Sequence, residues 1–128
     1  MVQQVTNGIK VSVKSNFEGT TYRDYRLYFA FSYQVSIENQ SNNTVQLLER
    51  RWTIFDSLNH TEIVEGPGVI GKKPILKPGE NHTYKSNCLL TSPCGSMKGF
   101  YRMVDFSSSN IFKVYIPSFQ LMVPSILN

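Results

Sequence analysis

The clearest pattern in the chain runs from Leu27 to Glu38. There Leu27, Phe29, Phe31, Tyr33, Val35 and Ile37 alternate with Tyr28, Ala30, Ser32, Gln34, Ser36 and Glu38. A repeat of two puts every second side chain on one face of a pleated strand, so the segment reads as a strand with one buried face. A shorter alternation precedes it, Ile9, Val11 and Val13 against Lys10, Ser12 and Lys14. The cluster Asn39 to Asn43 carries turn-forming side chains, so the next strand is expected to return antiparallel. That strand begins with Val45 and Leu47 on one phase and continues with Leu48, Trp52 and Ile54 on the other. Such a change of phase predicts a β-bulge near Arg50 and Arg51.

Further strands are predicted at His60–Glu65, His82–Leu90, Met97–Asp105, Ile111–Ile116 and Phe119–Val123. Turns are expected at Asp56–Asn59, Lys77–Glu80, Thr91–Gly95 and Ser107–Asn110, where Gly, Pro, Asn, Asp and Ser collect. No stretch shows the 3.6-residue repeat of an amphipathic helix. Seven or eight short strands with frequent turns predict an all-β fold, an antiparallel β-sandwich of the immunoglobulin-like or fibronectin type III-like kind. The Cys…Trp…Cys spacing of antibody domains is absent, which favours the fibronectin-like variety. With 128 residues, no internal repeat and no linker-like tract, residues 1–128 read as one domain.

Composition narrows the setting. Aromatic residues make up 12% of the chain, in keeping with strands, and charged residues 17%. No apolar run approaches the roughly 18 residues of a membrane helix, and the first residues lack the basic-then-apolar pattern of a signal peptide. A cytoplasmic location without membrane insertion is therefore expected. The net charge of +4 comes from cations scattered along the chain, paired only at Arg50-Arg51 and Lys72-Lys73. A nucleic-acid partner is not expected from so diffuse a charge.

The sharpest chemical signal is Gly66-Pro67-Gly68-Val69-Ile70-Gly71-Lys72-Lys73. It fits both G-x-G-x-x-G and the opening of G-x-x-x-x-G-K, patterns in which backbone N–H groups close around phosphate. Both need a helix to follow, and Pro74 and Pro78 prevent one. Lys73 also stands where a phosphate loop has Ser or Thr for magnesium, so the glycines belong to a loop between strands. Two readings stand open. Gly66, Gly68 and Gly71 supply positive φ or close packing, or they form a backbone nest for pyrophosphate or a nucleotide, with Lys72 and Lys73 neutralising its charge.

Cys88 and Cys94 are expected as free thiols, and Asn39, Asn42, Asn59 and Asn81 head N-x-S/T triplets that report turn-rich loops. His60 and His82 are expected at the surface, and no spacing among histidines and cysteines suits zinc. Asp56, Glu62, Glu65 and Asp105 form no calcium- or magnesium-type cluster, so neither a metal site nor a cofactor is expected. No G-x-S-x-G elbow or nucleophile–base spacing appears, so no catalytic residue is assigned. Trp52, Tyr84, Tyr101 and Phe119 are expected in the core, with Arg51 solvated above Trp52.

Several of these pieces recur together in a known family. Ile37-Glu-Asn39, Val45-Gln-Leu-Leu48, Arg51-Trp-Thr-Ile54 with Asp56, and Gly66-Pro-Gly-Val-Ile-Gly71 come in that order. They continue through Pro74, Leu76, Pro78-Gly-Glu80, Tyr84, Gly95, Met97, Gly99, Tyr101, Met103 and Ile116-Pro-Ser-Phe119. In this the chain resembles the bacterial ApaG family over nearly its whole length. The resemblance implies a free-standing fibronectin type III-like domain, non-catalytic and associated with cobalt and magnesium efflux or resistance. It is also similar to a domain of some eukaryotic F-box proteins, which implies binding to a protein partner. Nucleotide or pyrophosphate binding is implied at Gly66, Gly68 and Gly71, although Pro67 removes one N–H from that loop. A third expectation is a structural homodimer formed through sheet edges and the apolar segment Phe119–Leu127.

Overall fold

The inward positions of these alternating segments meet in one core between two sheets. The computed structural model describes residues 1–58 and 61–124. In chain order the strands are β1 (Val2–Thr6), β2 (Ile9–Arg23), β3 (Arg26–Asn39), β4 (Val45–Asp56), β5 (Glu62–Pro67), β6 (Ile75–Leu76), β7 (Asn81–Leu90), β8 (Cys94–Asp105) and β9 (Ile111–Met122). One antiparallel sheet has the order β1-β2-β3-β7; the other has β5-β4-β8-β9, with the short β6 paired to β4. The predicted sandwich is what forms, with nine strands among the described residues in place of seven or eight. None of those residues belongs to a helix long and apolar enough to cross a membrane.

The core is filled by the residues that alternation singled out: Ile9, Val11 and Val13, then Phe31, Tyr33, Val35 and Ile37 from the first sheet. Val45, Leu47, Trp52, Met97, Tyr101, Met103, Val114, Ile116, Phe119 and Leu121 face them from the second. Trp52, Tyr33 and Phe119 form an aromatic knot, with ring centroids 5.4 Å, 5.7 Å and 5.9 Å apart in tilted or edge-on geometry. Such contacts add to simple area burial because ring edges meet ring faces.

Four details differ from the pattern. The strand β1 was not expected, because all five of its residues are exposed or half-buried and no alternation marks them. It pairs with β2 through a tight turn at Asn7 and Gly8, both at positive φ. β2 extends nine residues past Lys14 by means of a register shift between Phe17 and Gly19, which breaks the alternation. The bulge expected near Arg50 and Arg51 lies between Leu47 and Glu49, at Leu48, whose carbonyl turns to accept the Gly68 N–H at 2.8 Å. Finally, Ile111–Ile116 and Phe119–Val123 are one strand, not two: the pairing with β8 jumps from Gly99↔Ile116 to Met97↔Phe119. Pro117 sits at this irregularity on an edge strand, where a missing N–H costs no ladder bond.

Some expectations fall outside what is described. Asn59 and His60, and with them the predicted start of a strand at His60, lie outside the described residues, as do residues 125–128. The apolar dimer segment is corrected in its first part: Phe119 and Leu121 are 5% and 0% exposed, so they serve the core and cannot meet a second copy.

Two buried polar residues lock the turns. The Asn39 side chain donates to the carbonyls of Asn43 and Leu76 and accepts from the Ser41 N–H and Oγ, which completes its bonding capacity. Asn39 is fully buried, so its N-x-S triplet serves a turn. Asp56, at the end of β4, accepts from the Thr91 N–H and Oγ1 at 2.7 Å, from Ser92 Oγ at 2.6 Å and from the Leu58 N–H at 3.3 Å. It thereby ties the β4–β5 turn to the β7–β8 turn. Burial alone would push its carboxyl up, but the donors outweigh that and hold it below the ordinary value.

A folded carboxyl below its unfolded pKa of about 3.9 contributes stability that is complete above that pH and is lost as pH falls through the folded value. Asp56→Ala is therefore expected to cost about 2–3 kcal/mol at pH 7. It should also flatten the acid limb of stability below about pH 4. Urea midpoints at pH 7 and pH 3 check both; an unchanged acid limb would assign acid sensitivity elsewhere.

Candidate binding site at the glycine loop

One side of the sandwich is closed, because β1 and β2 pack on β9, helped by the bonds Tyr115 N–H to Thr6 Oγ1 and Ser15 Oγ to the Gln120 carbonyl. The other side lies between β5 and β7, and there the glycine segment folds inward. Gly66 pairs with Arg50, one position before the β5 ladder ends at Pro67 opposite Glu49. After Pro67 the chain turns at Gly68 (φ +62°), and Val69 pairs with Lys72 around a two-residue tip of Ile70 (φ +47°) and Gly71 (φ +72°). Positive φ at both central residues is the type I′ hairpin geometry. Val69 is 1% exposed and plugs the space between the sheets, while Ile70, Gly71, Lys72 and Lys73 are exposed.

The three glycines serve three purposes. A Cβ at Gly68 would lie 2.2 Å from the Lys72 carbonyl oxygen, so the hairpin closes only on a hydrogen. A Cβ at Gly66 would lie 2.9 Å from Arg50 Nη1, so Gly66 leaves room for that guanidinium. Gly71 needs only its positive φ, with open space around it.

The loop's hydrogen bonds bear on the nest. The Gly68 N–H goes to the Leu48 carbonyl, the Val69 N–H to the Lys72 carbonyl and the Lys72 N–H to the Val69 carbonyl. The loop's outward chemistry is instead cationic. Arg50 Nη1 donates to the carbonyls of Pro67 and Gly68, both at 3.0 Å, which fixes the guanidinium beside the loop. Lys72 and Lys73 lie at the exposed end.

Beside the loop is a cavity of about 320 Å³ lined by Tyr33, Arg50, Trp52, Pro67, Val69, Ile70, Gly71, Tyr84 and Ser86. The pattern of glycines pointed to this place, but Arg50, Tyr33, Tyr84 and Ser86 were not anticipated. Only the change of phase in β4, which turns Arg50 toward the interior, hinted at the first. Burial pushes the Tyr33 and Tyr84 phenols up, so both stay neutral at physiological pH. Tyr84 shares a buried hydroxyl–hydroxyl hydrogen bond with Tyr101. His82, expected in solvent, is half-buried on the inward side of β7 with its ring 6.3 Å from that of Tyr84. Burial, then the charge of Lys72, lowers its pKa, so it is neutral at pH 7.

The remaining candidates stay apart. Burial pushes the Cys88 thiol up to about 11, so it is protonated at neutral pH. Cys94 Sγ lies 3.3 Å from Ser57 Oγ in the turn cluster around Asp56. Among the described residues no three His, Cys, Asp or Glu side chains gather as a metal site would require.

A second exposed feature lies at the far end of the β2–β3 hairpin. The last β7 residue, Leu90, pairs with Phe29, so residues 21–28 pair only with each other. The hairpin turns at Asp24 and Tyr25, both at positive φ. Around that tip Tyr22 is 74% exposed and Tyr25 fully exposed, with Arg23 and Arg26 beside them.

The family profile described as the ApaG domain matches residues 20–105, from the outer part of this hairpin through β8. The chain belongs to the ApaG domain family. It is 44% identical over 128 residues to Protein ApaG of Anaeromyxobacter sp. (strain K), covering the whole of both chains. It is also 44% identical to Protein ApaG of Methylocella silvestris over 124 residues, 97% of this chain and 95% of that one. Among solved structures it is similar to the putative ApaA protein from Bordetella pertussis, with a TM-score of 0.80 at 31% identity over 97% of this chain and 98% of that one. A structural-genomics X-ray structure, target SoR45, matches with a TM-score of 0.89 at 33% identity over 95% of this chain and 92% of that one. The ApaG resemblance read from the ordered motifs is thus the family to which the chain belongs.

Proposed function

We propose that this ApaG-domain chain is a non-catalytic, cytoplasmic binding module that acts in cobalt and magnesium homeostasis through a protein partner. The supporting observation is the tip of the β2–β3 hairpin. Tyr22, Arg23, Tyr25 and Arg26 stand exposed on a double strand that projects past its neighbours. Tyr and Arg are enriched at protein interfaces because each brings large contact area with directional polar groups. A stiff paired hairpin presents them at low entropic cost. The metal enters through the partner, since the described carboxylates, thiols and His82 do not converge.

The test is complementation of a strain lacking the gene, grown at raised cobalt. The Tyr22→Ala/Tyr25→Ala protein is expected to melt within a few degrees of the parent, since both side chains are exposed and Ala bears the positive φ of Tyr25 at much the same steric cost as Tyr. It should nevertheless leave the strain as cobalt-sensitive as the deletion. Full complementation would remove the hairpin from the function.

A second reading keeps pyrophosphate or a nucleotide at Gly66, Gly68, Gly71, Lys72 and Lys73. The observation favouring it is the fixed Arg50 guanidinium lining the cavity, with Lys72 and Lys73 exposed at the end of the adjoining loop. Calorimetric titration with pyrophosphate and ATP, with and without magnesium, is expected to give saturable heat that Lys72→Glu/Lys73→Glu abolishes and added salt weakens. No heat at millimolar ligand would leave the loop structural.

A further inference from the structure

We infer that the open side of the sandwich is a strand-addition site. An extended peptide pairs with the free edge of β7 and places an acidic side chain in the cavity against Arg50. The inference rests on the reading of the chain as a protein-binding domain, but not on the hairpin tip.

The first observation is the contrast among the sheet edges. Unpaired strand edges invite pairing, and proteins blunt them by shortness, proline, bulges, charge or cover. β1 is five residues long and leans on β9. β9 carries Pro117 at its irregular register and is packed by β1 and β2. β5 has six residues, two of them Glu, and ends at Pro67. β7 is different. Its ten residues pair with β3 without a register shift from Glu38↔Asn81 to Phe29↔Leu90, and they contain no proline and one charge, Lys85. Among the described residues, no backbone bond from the glycine loop reaches β7, and its other edge has no strand partner.

The second observation is what lies beside that edge. The inward side chains Tyr84 and Ser86 of β7 line the 320 Å³ cavity, with Arg50 and the glycine hairpin opposite. A strand added to β7 would alternate its side chains across the sheet, every second one turned toward this space. Main-chain bonds would then supply affinity, and one inward side chain the selectivity, as in other strand-addition complexes.

Arg50 decides the chemistry of that side chain. Two carbonyls orient its guanidinium through Nη1, and among the described residues Nε and Nη2 have no acceptor. Among the described residues the ion pairs within 4 Å are Arg51–Glu65 and Arg102–Glu49, neither of which uses Arg50. A fixed, partly buried guanidinium without a carboxylate is matched by a planar anion that accepts two parallel hydrogen bonds. Lys72, exposed at the end of the glycine hairpin, adds a charge of the same sign. A second copy fits less well. Two-fold antiparallel pairing through the middle of β7 sets Lys85 opposite its own copy or within two residues of it on one face, which is unfavourable.

The test selects binders to the full chain from a displayed library of random twelve-residue peptides. Selected peptides are expected to share an Asp or Glu within an alternating, strand-forming context. A synthetic copy of one should slow hydrogen exchange of β7 amides, and its Asp→Asn or Glu→Gln counterpart should bind at least tenfold more weakly. Arg50→Lys should remove most of that acid preference, and protection of wild-type β7 gives a readout independent of any variant. Inorganic pyrophosphate should leave β7 exchange unchanged; loop protection and peptide displacement by it would mark the cavity as an anion site instead. Failure to select peptides, selected peptides with no acidic position, β7–β7 self-pairing, or protection of another surface would each overturn the inference. Tyr22→Ala/Tyr25→Ala should bind the peptides as the parent does, so a failure of the hairpin reading and a failure of this one remain separate.

Discussion

Trp52→Ala is expected to remove about 3–5 kcal/mol of stability, the cost of deleting a large buried aromatic side chain and leaving its space unfilled. Domains of this kind have roughly 5–15 kcal/mol in total, so the variant should be partly unfolded near physiological temperature. Trp52 is 3% exposed and meets the rings of Tyr33 and Phe119. It shares a sheet with Phe119 and packs across the interface on Tyr33, so its loss opens a gap between the two layers. Trp52→Phe keeps the ring edge contacts and should recover a large part of the loss. Because the chain has a single tryptophan, unfolding in urea should be followed by circular dichroism, not intrinsic fluorescence. A midpoint within error of the parent would mean that the two sheets are held together elsewhere.

Gly68→Ala is expected to cost about 2–4 kcal/mol, combining strain at positive φ with overpacking against backbone. The added Cβ would meet the Lys72 carbonyl oxygen at 2.2 Å, and backbone cannot rotate away as a side chain could. Gly71→Ala, at φ +72° but in open space, should cost only about 1 kcal/mol. The pair separates two accounts of the same motif. If the glycines are there to shape the hairpin, the unequal losses appear without any ligand present. Equal and small losses would show that the tight closure at Gly68 is dispensable, and would move the weight toward ligand contact. Thermal melts of the two proteins side by side decide the matter.

How much of this was legible in the residues depends on the range of the interaction. The alternation from Leu27 to Glu38 marked β3 and its buried face, and Phe31, Tyr33, Val35 and Ile37 are core as that alternation requires. The strand β1 left no such mark, since none of its residues is buried. The phase change in β4 announced a bulge but misplaced it by two residues. Its position is set by the Gly68 N–H, which needs the Leu48 carbonyl, and nothing near Arg50 in the chain records that need. The glycines of residues 66–71 were visible as a loop, and their role as a scaffold around Arg50 was not. Arg50 lies 17 residues from Pro67, whose carbonyl holds it.

Read in order, the residues establish an antiparallel sandwich, most of its core positions and, through ordered motifs, its place in the ApaG family. These follow because burial of one face imposes a period of two on each strand separately, so every strand carries its own record. The tertiary structure alone decides which edge stays open and which N–H groups of the loop are already bonded. It alone brings Arg50, Tyr33, Tyr84 and Ser86 around one cavity. Those features arise from contacts between segments distant in the chain, where no local periodicity is imposed and a single hydrogen bond sets the geometry.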